Sequence, residues 1–143
     1  MVRLKTKAAL AHQLTPIVCV GGTLEEKEAG QTEAVVKRQV TEALSGLDAE
    51  EVKRVVLAYE PVWTIGTGIA ATAEDAEQVA GYIRSLLPKA VQDQVRILYG
   101  GSVKPGNILS FTVRPNIDGA LVGGASLEPE TFYQMISLVI GDA

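Results

Sequence analysis

Four short stretches of this chain combine the residue types and spacing that acid–base chemistry on an anionic ligand requires. Glu60 directly follows an apolar run, in Leu57-Ala58-Tyr59-Glu60-Pro61-Val62-Trp63. A carboxylate at the carboxyl end of a buried parallel strand, beside a Trp-bearing loop, is placed to act as a general base. The competing reading is a solvated loop carboxylate. Gly66-Thr67-Gly68 can flex and can turn bare N–H groups toward an anion. Gly100-Gly101-Ser102 and Gly123-Gly124 close two later apolar runs, and one such pair alone would be an ordinary tight turn. Together with the Gly66 loop they make a convergent anion cradle, to which Ser102 adds a hydroxyl.

Other candidates are weaker. Gly66 to Ala71 fits the loose G-x-G-x-x-A pattern of dinucleotide sites. That fingerprint needs a tight strand-to-helix turn, whereas Pro61 to Ile65 intervene here, and no acidic residue follows at Tyr99-Gly100-Gly101 to hold a ribose. His12, the only histidine, belongs to an N-terminal helix far in sequence from every strand end, so it reads as a surface or half-buried residue. Cys19 lies within an apolar run and reads as a small buried side chain. The spacing of metal ligands is absent, so no metal site is expected. Glu25-Glu26-Lys27-Glu28 reads as the solvated first turn of a helix, with its acids at the positive end of the dipole.

The elements that must position these residues alternate. An amphipathic helix carries Leu4, Ala8, Ala11 and Leu14 at helical spacing. Residues 16–20 form a buried strand, and Thr23 with Glu26 has the spacing of a capping box before a helix carrying Val36, Val40, Ala43, Leu44 and Leu47. Gly46, Asp48 and a charged stretch through Lys53 separate this helix from a strand over 55–59. Thr72 and Asp75 repeat the cap before the stripe Ala76, Val79, Ala80, Ile83 and Leu87, which Pro88 ends. A strand over 95–99, a short helix over 105–111, a strand over 119–122 and a stripe of Phe132, Met135, Ile136, Val139 and Ile140 complete the chain. The order is helix, then strand–helix four times, which implies a parallel sheet with crossover helices. Four strands cannot close an eight-stranded barrel, which takes about 250 residues. With every helix on one face, the other face is bare and both edges are unpaired. The pattern therefore describes either a small doubly wound domain or half of a barrel.

Composition sets the outer bounds. Of 143 residues, 47 % are apolar and 21 % charged, which excludes a disordered or collagen-like chain. Thirteen basic and 17 acidic residues give a net charge of −4, with the cations scattered, so no nucleic-acid partner is expected. No apolar run approaches the ~18 residues of a membrane span. The single cysteine excludes an internal disulfide and suits a reducing compartment, and a cytoplasmic location is expected.

The motifs then resemble one family. Ala58-Tyr59-Glu60-Pro61-Val62-Trp63-Thr64-Ile65-Gly66-Thr67-Gly68 is similar to the catalytic strand and mobile loop of triosephosphate isomerases. Pro16-Ile17-Val18-Cys19-Val20-Gly21, Tyr99-Gly100-Gly101-Ser102-Val103 and the segment from Asp118 to Leu127 resemble that family's fifth, seventh and eighth strand ends, in its order and at its spacing. The resemblance implies an α/β fold, the C-terminal half of a (β/α)8 TIM barrel, with residues 1–143 as a single unit. Met1 would fall inside the barrel's fourth helix, the first four strands being absent.

The resemblance further implies that Glu60 shuttles a proton between two carbons of a triose phosphate through an enediolate. The reaction is the interconversion of dihydroxyacetone phosphate and glyceraldehyde 3-phosphate, in glycolysis and gluconeogenesis. It implies a lid of Pro61, Val62, Trp63, Thr64, Ile65, Gly66, Thr67 and Gly68, and phosphate contacts from Gly66, Ser102, Gly123 and Gly124. It makes Cys19 a neighbour of the base and calls for no cofactor. The family's catalytic lysine, asparagine and histidine match no position here, so activity is expected only with a complementary N-terminal half-barrel. The alternative is a self-associating half-barrel, a homodimer that binds phosphate without isomerase activity. The family also tends to carry a glutamate where Gly22 stands, so a looser closed lid is expected.

Overall fold

The computed structural model describes residues 1–67 and 69–141. Helix starts follow local hydrogen-bond chemistry. Thr23 accepts from the Glu26 amide at 3.3 Å, and the Glu26 carboxylate accepts from the Thr23 amide at 2.9 Å. This reciprocal cap starts α2 (Leu24–Glu28). Where one helix was expected, two form: Gly30 adopts φ +70° and ends the first turn, and α3 (Thr32–Leu44) starts anew. The charged stretch expected to be a separator is itself α4 (Ala49–Lys53), because Asp48 and Glu51 make a second capping box at 2.8 and 3.0 Å. Thr72 caps α5 (Ala73–Ser85) by accepting from Asp75 at 3.1 Å. The remaining helices are α1 (Val2–Ala11), α6 (Ile108–Thr112) and α7 (Pro129–Ile140). Short 3-10 turns cover Val62–Thr64 and Gly124–Leu127.

The strands are β1 (Ile17–Val20), β2 (Val56–Tyr59), β3 (Ile97–Tyr99) and β4 (Gly119–Ala120). They form one parallel sheet in the order β1-β2-β3-β4. Val20, Tyr59, Tyr99 and Ala120 are successive register partners, so the carboxyl ends of all four strands reach one rim. Right-handed crossovers that always step to the next strand in the same direction place every helix on one face. Burial agrees: in β1, Val18 and Val20 face the helices while Ile17 and Cys19 are exposed. The core between sheet and helices holds Val36, Val40, Leu57, Ile83, Ile97 and Tyr99, each 1 % exposed or less. This is four consecutive β/α units of a (β/α)8 barrel, and the doubly wound alternative, which needs helices on both faces, is excluded.

Three burial expectations are corrected. Cys19 is exposed, because strand alternation turns it to the face without helices. In α1, Thr6 and Leu10 are the buried residues, while Leu4 is 64 % exposed and Leu14 lies beyond the helix end. In α7, Met135 is buried, but Ile136, Val139 and Ile140 line an open apolar groove of about 220 Å³ with Ala120 and Val122.

At the opposite rim, Arg84 ties α5 to the loops before β3 and β4. Its guanidinium makes five hydrogen bonds: to Asn116 Oδ1, to the Gln92, Val95 and Asn116 carbonyls, and to Asp118 Oδ2 at 2.8 Å. The same Asp118 oxygen accepts from the Ile97 amide at 2.8 Å, starting β3. Removing the guanidinium strands several acceptors at once, so Arg84→Met is expected to lower unfolding free energy by about 2–3 kcal/mol. Urea denaturation checks this; a loss below about 0.5 kcal/mol, the scale of ordinary surface substitutions, would contradict the clamp.

Candidate active site

Glu60 stands immediately past β2 and is half-buried. Its amide donates to the Val20 carbonyl at 2.7 Å, which continues the β1–β2 ladder by one residue. On the other side, the Gly100 amide donates to the Tyr59 carbonyl at 2.8 Å. Both neighbours are glycine because nothing larger fits. A Cβ on Gly21 would run into the Glu60 carbonyl, and one on Gly100 would meet Glu60 Cγ at 2.5 Å. Gly21 is held in turn by the Gln39 amide, which accepts from its N–H at 2.8 Å and donates to its carbonyl at 3.0 Å. The direction of the Glu60 side chain is therefore set by close-packed backbone.

Across Gly100 lies a cleft of about 450 Å³. Gly66, Ser102, Gly123 and Gly124, the four residues expected to hold an anion, all line it. Lys104 and Asn107 line it too, and neither was anticipated. Asn107 accepts from the Lys104 amide at 2.7 Å, which shapes the loop between β3 and α6. Lysine and asparagine after a Gly-Gly-Ser turn carry no signal in spacing; only the fold brings them to the cleft. Added Cβ atoms on Gly66, Gly123 and Gly124 meet nothing within 4 Å, so their backbone faces open space that a ligand can occupy. Gly101 differs: a Cβ there would strike the Tyr99 hydroxyl, and its role is packing.

The segment 61–67 arches over this rim. Val62 donates to the Gly22 carbonyl at 3.1 Å, and Thr64 Oγ1 donates to the Pro61 carbonyl at 2.7 Å. Ser102 Oγ donates to the Thr64 carbonyl at 2.6 Å, joining the arch to the cleft. Thr64 is fully buried, whereas Ile65, Gly66 and Thr67 are exposed, so the segment has a packed base and a free tip. Gly66 has φ +70°, a conformation other residues adopt at a cost of about 1–2 kcal/mol. Gly68, also expected in the lid, lies outside the described residues. At the far end, the Ala71 amide donates to the Tyr99 hydroxyl at 3.3 Å. Tyr99 is stacked on Phe111 with ring centres 4.0 Å apart. Burial pushes its phenol up, and the bonds with Ala71 and Thr64 pull in the opposite direction.

Gly22 engages the arch through its carbonyl alone. Lys27 is exposed, as expected of a solvated first turn, and its Nζ stands 4.0 Å from the centre of the Trp63 ring. His12 is exposed at the end of α1, away from the rim. Among the described residues, no three His, Cys, Asp or Glu side chains are grouped to hold a metal ion.

Cys19 and Glu60 are adjacent, since β1 and β2 are neighbours and both residues lie on or past the open face. Cys19 is exposed as a residue, but partial shielding of its thiol from water pushes it above its ordinary value of 9.0, and the Glu60 charge and hydrogen bond push it further.

The family model for triosephosphate isomerase matches residues 1–139.

The Cys19–Glu60 contact can be read by titration. The thiol reacts as the thiolate, so the midpoint of its alkylation by iodoacetamide against pH is expected above 9.0. Glu60→Gln removes a charge that disfavours the thiolate and lowers the midpoint, while burial, the larger cause, remains. Identical midpoints in the two proteins would mean that the carboxylate does not face the thiol.

Proposed function

Because the chain belongs to the triosephosphate isomerase family, we propose that it carries the base and the phosphate-binding loops for interconverting dihydroxyacetone phosphate and glyceraldehyde 3-phosphate, in the cytoplasm, as a step of glycolysis and gluconeogenesis. The observation that carries this reading is the placement of Glu60: a carboxylate packed against Gly100, which lines a cleft with open glycine backbone, and directly preceding the lid segment. The backbone N–H groups of Gly66, Ser102, Gly123 and Gly124 hold the phosphate end of the substrate, while the Ser102 hydroxyl donates to the Thr64 carbonyl. Lys104 adds positive charge at the same cleft.

With the phosphate anchored, the carbon next to the carbonyl lies toward Glu60. The carboxylate takes a proton from that carbon, and the electron pair moves to the carbonyl oxygen, giving an enediolate. Glu60, now protonated, returns the proton to the neighbouring carbon while the hydroxyl proton passes between the two oxygens. The lid excludes water, so the enediolate keeps its phosphate rather than expelling it. A hydrogen-bond donor at the developing oxyanion contributes about 3–4 kcal/mol in comparable sites. Among the described residues the rim offers no histidine for this task. A complementary N-terminal half-barrel, packed on the open face of the sheet, is the source we propose.

A second reading is favoured by the two unpaired sheet edges, exposed Ile17 and the apolar groove along α7. Two copies of this chain would pair β4 of each with β1 of the other, closing an eight-stranded homodimer that binds phosphate and does not isomerise.

The test is a triose phosphate isomerisation assay of the chain alone and with the N-terminal half added, beside Glu60→Gln prepared identically. The expected outcome is background turnover for the chain alone and restored turnover in the complex, lost by about 10²–10⁴-fold in Glu60→Gln. Equal rates for parent and variant in a folded complex would remove Glu60 as the base. A stable dimer by sedimentation, with phosphate affinity and no turnover, would favour the second reading.

A further inference from the structure

Trp63 lies in the first half of the lid, on its short 3-10 turn. Two charged side chains from outside the lid converge on it. Lys27, in α2, holds its ammonium 4.0 Å from the ring centre. Asp75, in the first turn of α5, places Oδ2 3.9 Å from the same ammonium. An ammonium over an indole face is attracted by the ring quadrupole, and Trp is the strongest of the aromatic partners. The carboxylate sits on the far side of the lid in sequence: Trp63 is near its beginning and Asp75 follows its end. Lys27 therefore connects the unit after β1, the base of the lid and the helix into which the lid runs.

Gly22 makes this contact matter. It has no side chain, and its carbonyl holds only the Val62 amide. A larger residue there would press on Glu26, whose carboxylate oxygen stands 3.0 Å from a Cβ at that position and is engaged in capping α2. The loop after β1 thus grips the lid by one backbone bond and leaves the indole to Lys27, one turn further along.

We propose that Lys27 is a positioning residue for the lid: its ammonium, steered by Asp75, tethers Trp63 and holds the base of the lid over the cleft while the tip around Gly66 stays free to move. What the lid encloses rests on the isomerase reading; the tether itself does not. With Lys27 and Asp75 side chains 40 % and 51 % exposed, the tie is weak and reversible, suited to a segment that must open. Its loss is expected to reduce the docked population of the lid about two- to fivefold.

Trp63 is the only tryptophan, so its fluorescence reports this site alone. Lys27→Met keeps the aliphatic stem and removes the charge. It is expected to shift Trp63 emission, to raise its quenching by acrylamide, and to raise the inorganic phosphate concentration needed for half the fluorescence response about two- to fivefold. Lys27→Arg is expected to restore parental behaviour, because a guanidinium also stacks on indole. Asp75→Asn falls between. Should Lys27→Met fail to fold, the parent decides: raising ionic strength to about 1 M, where the screening length is about 3 Å, moves quenching in the same direction. Unchanged emission and quenching in Lys27→Met, or in the parent at high salt where that replaces it, overturn the proposal. So does a change that Lys27→Arg fails to reverse. A parent whose Trp63 ignores inorganic phosphate counts against the phosphate-binding reading alone, and the Lys27→Met spectrum still decides the tether.

Discussion

A right-handed crossover between adjacent parallel strands has one side on which to lay its helix, and this chain makes three in the same direction. The whole arrangement descends from that repetition. The helices stack on one face, where they bury the aliphatic core. The strand ends fall level on one rim, where the loops that follow them meet. Glu60, the Gly100–Ser102 turn and the Gly123–Gly124 turn are distant in sequence and neighbours on the rim because each is the first loop after a strand. The same repetition leaves the opposite face of the sheet uncovered, with Ile17 and Cys19 on it.

Within the rim, packing rather than charge sets the key side chain. Glu60 has a glycine on each flank, and each is required because the space a methyl group would take is already filled by Glu60 itself. Such contact is steep in distance, so a displacement of a few tenths of an ångström is resisted on both sides. The polar contacts lie one layer out: Gln39 on Gly21, Ser102 on Thr64, the Tyr99 hydroxyl on Ala71. They fix the loops that carry the glycines and the arch above them.

Much of this was legible in the sequence because the signals are local. Alternating apolar runs gave the strands of a parallel sheet with crossover helices, and Thr23 with Glu26 and Thr72 with Asp75 marked helix starts that exist. Gly66, Ser102, Gly123 and Gly124, which line one cleft, were legible because glycine-rich loops recur after three strands in turn. What escaped was set by tertiary context. Cys19 and the α7 stripe have core composition, but among the described residues no second layer covers them. Asp48 and Glu51 obey the same capping rule as Thr23 and Glu26, yet a run of charge hid the helix that they start. Lys27 was unreadable because its partner is 36 residues away and meets it only once β1 and β2 are paired. The beginning of a strand is similarly diffuse: Val55 and Val95 are buried like strand residues but precede the ladder.

The sheet also tapers. Four residues pair between β1 and β2, three between β2 and β3, and two between β3 and β4. Local opening free energy follows such differences, so amide protection falls across the sheet and the last rung frays first. The Gly123–Gly124 turn hangs from that rung. An anion seated there, as proposed, would bridge the least protected strand to the Ser102 loop beyond its better-paired neighbour, and its binding energy would be added where the ladder contributes least. Occupancy of the cleft and integrity of the sheet's weak margin would then be two readings of one equilibrium, with hydrogen exchange at Gly119 and Ala120 expected to follow ligand concentration more steeply than exchange at Leu57 or Ala58.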